Sequence, residues 1–189
     1  PIGSLPDGEM MFHSDGAYDD RPYKFTLLFA VELPSTGGHT LFANMYDAFD
    51  TLPDAIKTRL RGCHAMHSYY SGTVQRDENV GPYSGDATHP VFIEHGETGR
   101  TAIYVSRLLT RRIVELPEDE SDAVLARLFD HCERGELVYE HVWTLGDFVM
   151  WDNRCVVHGR ADFPRSERRL LQRTVIQGEK PAMAGLHTV

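Results

Sequence analysis

Cysteine is scarce. Cys63, Cys132 and Cys155 are the three in 189 residues, scattered and odd in number. That argues against a disulfide scaffold and fits a reducing cytosol, so a cytoplasmic protein is expected. Their simplest role is as small buried hydrophobes. No apolar run approaches the roughly 20 residues that a membrane-spanning helix needs, and no basic stretch followed by an apolar one marks a secretory leader. Positive charge is in deficit as well. A net charge of −9 repels phosphate backbones, and no basic stripe with interleaved aromatics offsets it. Neither nucleic acid nor a membrane is therefore an expected partner. Internal repeats, low-complexity tracts and domain linkers are missing too, so residues 1–189 are read as a single domain. What remains is ordinary globular composition, 41% hydrophobic and 25% charged.

The hydrophobic pattern is that of many short strands with two helical interruptions. Residues 25–33 are β-branched, aromatic and apolar, closed by Pro34, and read as a buried strand. Ser35 to Gly38 is a turn or loop. Met45, Phe49, Leu52 and Ile56 recur at helical spacing, which predicts a helix over 43–62 restarted at Pro53. Residues 69–88 carry three glycines and a proline and read as a long loop, a natural lid. Strands are expected near 90–95 and 101–106, joined by a hairpin at Gly96 to Gly99. Pro117 followed by three acidic residues opens a second helix, ended by Gly135, with Val124, Leu125, Leu128, Phe129 and Cys132 as its apolar face. Strands at 137–143, 147–151, 154–159 and 169–177 complete the chain. A mainly β sandwich or closed barrel follows, with the jelly roll as its leading form.

One triplet carries chemistry. In His13-Ser14-Asp15 an imidazole and a carboxylate stand two residues apart. On extended backbone they share a face and could grip one ion. Two histidines and one carboxylate form the facial triad of non-haem Fe(II) oxygenases, leaving open positions for further ligands. Alone the triplet says little. With ten histidines in an acidic chain, about one H-x-D arises by chance. A third ligand must come from elsewhere, and His158, ending Trp151-Asp152-Asn153-Arg154-Cys155-Val156-Val157-His158, is chosen. Arg169 and Arg173 fall at or within a predicted buried strand, where unpaired guanidinium groups are costly. A bound dicarboxylate would satisfy one of them; pairing with Asp or Glu on a solvated rim would serve equally well.

These residues, in order, resemble the taurine dioxygenase / 2,4-D dioxygenase (TauD/TfdA) family of Fe(II)- and 2-oxoglutarate-dependent oxygenases. The resemblance rests on Phe12-His13-Ser14-Asp15, on Pro34 through Gly37-Gly38-His39-Thr40 to Met45, on Trp151-Asp152-Asn153-Arg154 to His158, and on Arg169. His89-Pro90, Glu97-Thr98-Gly99-Arg100 and Gly146-Asp147 agree as well, so it covers nearly the whole chain. It implies a double-stranded β-helix (jelly roll) with a few flanking helices. It assigns His13, Asp15 and His158 to Fe(II), and Thr40 with Arg169 to the far carboxylate of 2-oxoglutarate. Arg173 matches a family arginine that in sulfonate oxygenases faces an anionic substrate. The implied reaction joins O₂, 2-oxoglutarate and a small anionic organic substrate, giving a hydroxylated product, succinate and CO₂. Retention of Asp15 argues against a halogenase.

There are departures. His39 replaces the family's usual Asp and is read as a loop variation, not a ligand; Phe12 stands where Trp often precedes the metal histidine. Leu108-Leu109 replaces the Gly-Phe of taurine-type members, which weakens taurine as the substrate. Family members also carry a long segment before H-x-D, so the N-terminal part of the family fold is expected to be missing, and exposed barrel edges would then favour a homo-oligomer. Two alternatives stand beside the oxygenase: a non-redox, cupin-like metal protein with the same ligands, and an inactive partial domain serving as a binding module. The other candidates read blandly. Cys63, His64 and His67 are split between strand faces, and His131-Cys132 is half-buried helix surface. Trp143 and Trp151 are core or barrel wall. Tyr18, Tyr69 and Tyr70 are pocket-lining or packing residues.

Overall fold

In the computed structural model, residues 5, 6, 8–76 and 78–185 are described. Every strand pairing among them is antiparallel. The strands are β1 (Met10–His13), β2 (Tyr23–Glu32), β3 (Thr40–Asn44), β4 (His64–Tyr70), β5 (Tyr83–Pro90), β6 (Phe92–Glu94), β7 (Thr101–Ile103), β8 (Thr110–Ile113), β9 (Val138–His141), β10 (Phe148–Asp152), β11 (Val156–Arg160), β12 (Leu170–Gln177) and β13 (Ala182–Met183). The helices are α1 (Met45–Asp50), α2 (Asp54–Leu60) and α3 (Glu118–Cys132). Two sheets build the site: β1-β11-β3-β9 and β10-β2-β12. Two smaller ones, β13-β6-β7 and β5-β4-β8, carry the hydrophobic core with the helices. This is the jelly-roll class read from the strand pattern.

The helical segments follow their local chemistry. Asn44 caps α1, its side chain accepting from the Tyr46 and Asp47 amides. The helix therefore starts at 45, and residues 43 and 44 belong to β3. Pro53 then splits the expected single helix into α1 and α2, because it cannot donate to the preceding turn. Helix α3 has acidic residues 118–120 against its positive N-terminal end. It buries Leu125, Leu128, Phe129 and Cys132, each large apolar side chain contributing about 1.5–3 kcal/mol.

Three strand expectations need correction. β2 is buried on one face only: Thr26 and Ala30 point inward, whereas Phe29 and Val31 are exposed. Phe148, Met150 and Ile176 extend that outer apolar face on the strands flanking it. β12, read as buried, is mostly exposed, since it pairs only with β2 at a sheet edge. The stretch 69–88 is not one loop: β5 occupies its second half, a polar edge strand whose composition concealed it. Among the described residues no helix is long and apolar enough to cross a membrane.

Candidate metal centre and cosubstrate pocket

The two site-building sheets enclose a cavity of about 770 Å³. His13 ends β1, and its cross-strand partner on β11 is His158. Asp15 follows two residues after His13 and is buried with them. His13 Nε2 lies 3.6 Å from Asp15 Oδ1, and His158 Nε2 lies 3.8 Å from Asp15 Oδ2. One ligating atom from each residue falls within 4.8 Å of the others.

The donor set suits a cation. His13 Nδ1–H donates to the Met11 carbonyl at 3.0 Å, which turns Nε2 toward the carboxylate. Two lone-pair donors facing one another call for a positive charge between them. Burial pulls the His158 pKa down to about 3, helped by charge on His13, which keeps that imidazole in its metal-binding form. Burial alone would raise the Asp15 carboxyl. The imidazoles of His158 and His13 and the Arg173 guanidinium outweigh it and hold the group well below the usual carboxylate range. The His158 ring is gripped by Trp151, at 4.6 Å between centroids, and by Phe42, at 6.3 Å.

Behind the triad stands a polar network that sequence reasoning missed. Thr26 Oγ1 donates to Asp15 Oδ2 at 2.7 Å, and Asn153 Nδ2 donates to Thr26 Oγ1 at 2.9 Å. Asn153 Oδ1 accepts from the Asp15 amide and from Trp151 Nε1, while Ser14 Oγ donates to the Asn153 carbonyl. Asn153 thus ties the H-x-D turn to the W-D-N turn, and both Thr26 and Asn153 are buried. A signal existed for Thr26, a polar residue set among Phe25, Leu27 and Leu28 in an apolar strand. Buried hydroxyls of that kind have a partner.

The same cavity is lined by Thr40, Arg169 and Arg173. Arg169 Nε donates to the Gly38 carbonyl at 2.8 Å, and its Nη2 lies 3.5 Å from Thr40 Oγ1. None of the ion pairs among the described residues includes Arg169. Burial, reinforced by the nearby Arg160, lowers its pKa to about 10. A half-buried guanidinium without a carboxylate suits an acidic ligand. The glycine pair makes room for it. Gly38 adopts φ +67°, and a Cβ there would come within 3.0 Å of Arg169 Cδ; at Gly37 one would strike the Asp162 carbonyl. Arg173 Nη2 lies 3.4 Å from Asp15 Oδ1, at the mouth of the triad. Arg168 is the arginine that pairs on a solvated rim, with Glu32.

Other expected candidates fall outside this centre. His39 binds Glu140 on the exposed side, as expected of a non-ligand. His64 pairs with Glu115, while His67 turns inward beside His89 and Tyr104. Tyr18 and Tyr69 stack at 5.0 Å and line the cavity; Tyr70 packs on Tyr83 instead. His95, Asp152 and Cys155 also cluster. There Asp152 is occupied by Arg154 on both oxygens and by His95.

A jelly roll that gathers two histidines and a carboxylate in one cavity, with an arginine in its wall that has no carboxylate partner among the described residues, defines the class of facial-triad metalloproteins. Residues 2–175 match the model of the taurine catabolism dioxygenase TauD, TfdA family, and the chain belongs to that family. It is 39% identical to pentalenolactone F synthase of Streptomyces avermitilis, over 92% of this chain and 62% of the relative. It is 31% identical to the alpha-ketoglutarate-dependent 2,4-dichlorophenoxyacetate dioxygenase of a Burkholderia species, over 90% of this chain and 59% of that one. The chain thus spans less than two thirds of the length of either relative. Among solved structures it resembles AAD-2 in complex with Mn(II) and N-oxalylglycine, with TM-score 0.83, 29% identity, and coverage of 96% of this chain and 76% of that one. A taurine dioxygenase from Burkholderia xenovorans gives TM-score 0.79 at 27% identity, over 90% and 59% of the two chains. The family uses Fe(II) and 2-oxoglutarate.

Proposed function

We propose that the chain acts as an Fe(II)- and 2-oxoglutarate-dependent dioxygenase that hydroxylates a small organic anion. The observation that carries this reading is one cavity holding both a convergent His13–Asp15–His158 set and an arginine, Arg169, without a carboxylate partner. In this reading His13, Asp15 and His158 hold the iron, and Arg169 with Thr40 holds the far carboxylate of 2-oxoglutarate. When bound, the metal and its cosubstrate supply the oxidising chemistry: one oxygen atom of O₂ enters a substrate C–H bond, the other enters succinate, and CO₂ leaves.

The protein's own part is placement and exclusion of water. Thr26 and Asn153 fix the Asp15 carboxylate so that it presents one orientation to the metal. Arg173, 44% exposed at its side chain, faces the cavity beside Asp15, where it can pair with an anionic group of the substrate. The stacked Tyr18 and Tyr69, with Leu108 and Leu109, offer an apolar wall for the substrate body. A relative named for 2,4-dichlorophenoxyacetate takes a carboxylate with such a body.

The test is succinate release from 2-oxoglutarate in the presence of Fe(II) and O₂, screened with carboxylates, sulfonates and sulfate esters. At least one class should raise succinate above the substrate-free rate. Arg173→Ala should then raise KM for that substrate about tenfold or more while leaving 2-oxoglutarate affinity in place. An Arg173→Ala chain with unchanged KM would contradict the anionic-substrate assignment.

A further inference from the structure

Trp143, which the sequence marks only as core, makes a directed contact inside the cosubstrate wall. Its Nε1–H donates to Thr40 Oγ1 at 2.9 Å, and both residues are buried. The indole is braced from behind. The His141 ring meets it edge-on at 4.5 Å and 88°, and His141 Nε2 is held by Asp147 Oδ2 at 3.1 Å. Asp147 Oδ2 also accepts from the Thr144 amide at 2.8 Å, and the Asp147 amide donates back to the Thr144 carbonyl, closing the turn that carries Trp143. Thr40 and His141 are themselves cross-strand partners on β3 and β9.

A threonine hydroxyl has one proton and two acceptor positions. At Thr40 one position is filled by the indole N–H. The second faces Arg169 Nη2, at 3.5 Å. Indole and guanidinium can only donate, so neither can receive the Thr40 proton. That proton is left to seek an acceptor among whatever enters the cavity. We propose that Trp143 is a positioning residue for 2-oxoglutarate: by occupying one acceptor site of Thr40 Oγ1, it turns the Thr40 O–H toward the far carboxylate of the cosubstrate. The inference rests on the reading that Thr40 and Arg169 hold that carboxylate. It adds a residue that touches neither metal nor ligand, and a reason for its indole nitrogen.

The experiment compares two ligands of the Mn(II)-loaded chain by calorimetric titration: 2-oxoglutarate, and 2-oxopentanoate, which keeps the chelating 2-oxo acid end and lacks the far carboxylate. Wild type should prefer 2-oxoglutarate, and Arg169→Ala should erase most of that preference. Trp143→Phe should lower it about five-fold, the worth of one neutral hydrogen bond, by weakening 2-oxoglutarate alone. Thr40→Ser should retain it. Should Trp143→Phe fail to fold, β-benzothienylalanine at position 143 keeps the ring shape without the N–H and should give the same loss. Equal weakening of both ligands, or an undiminished preference without the N–H, would overturn the role of Trp143 while Arg169→Ala still reported the underlying reading intact. A wild-type chain with no preference at all would overturn that reading, and this inference with it.

Discussion

His13 and His158 are directly opposed residues on adjacent antiparallel strands, their ring centroids 4.1 Å apart. Strand register, rather than a flexible loop, thus sets the separation of two of the three candidate metal-ligating groups. Asp15 reaches the same point from the turn just beyond His13. His13→Ala and His158→Ala should each lose at least a hundredfold in Mn(II) or Fe(II) affinity, about 2.7 kcal/mol, with strand content unchanged by circular dichroism. Retained affinity in either variant would show that the ion, if bound, sits elsewhere.

Asn153 is the joint between the two turns that supply the site. Asn153→Ala would leave the Asp15 amide and Trp151 Nε1 without their acceptor, and Thr26 Oγ1 without its donor. A buried group left unpaired costs about 1–3 kcal/mol. The expected outcome is a lower Tm together with a tenfold to hundredfold loss of metal affinity, the usual consequence of removing an outer-shell partner. Calorimetric unfolding and metal titration of the same sample check both parts; a stability loss alone would limit Asn153 to structure.

Gly38→Ala places a methyl group against Arg169 at a backbone conformation that disfavours side chains. The guanidinium must shift, and 2-oxoglutarate affinity should fall about tenfold or more, the energy of one charge-assisted contact. Mn(II) affinity measured without 2-oxoglutarate should stay within about two-fold of wild type, inside the noise expected for distant sites. Equal losses for both would show that the turn supports the whole cavity rather than the arginine.

His67 gives a pH dependence of defined sign. It is buried, and burial with the neighbouring His89 lowers its pKa from 6.5 to about 3. Between those values the unfolded chain binds a proton there and the folded chain does not. The stability is full above pH 6.5 and is lost as pH falls toward 3. His67→Gln should remove one proton from that dependence, about 1.4 kcal/mol per pH unit within the window. Denaturant unfolding at pH 7, 6 and 5 checks it: an unchanged slope in the variant would mean that His67 is protonated in the folded chain.

The convergence of His13, Asp15 and His158 was legible because an i, i+2 spacing on extended backbone is short-range information, and the W-D-N-R run pointed to His158. Thr40 and Arg169 were legible only through the resemblance, since their meeting depends on how β3 and the start of β12 are brought together. The roles of Thr26, Asn153 and Trp143 were not seen. Each acts through a hydrogen bond to a residue at least 100 positions away or across a sheet, and apolar-pattern reading treats such positions as core. The same limit explains β2 and β12. Hydrophobic composition says that a strand can be buried, but pairing and layer order decide on how many faces.

The most direct measurement is an anaerobic titration of the purified chain with Fe(II) and 2-oxoglutarate, followed by visible absorption. Chelation of iron by the 2-oxo acid at the His13–Asp15–His158 site would give a weak charge-transfer band. The expected result is a saturable band, absent in Asp15→Ala and shifted to higher 2-oxoglutarate concentration in Arg169→Ala. A folded chain that binds Fe(II) without any such band would contradict the oxygenase and leave a non-redox metal protein in its place.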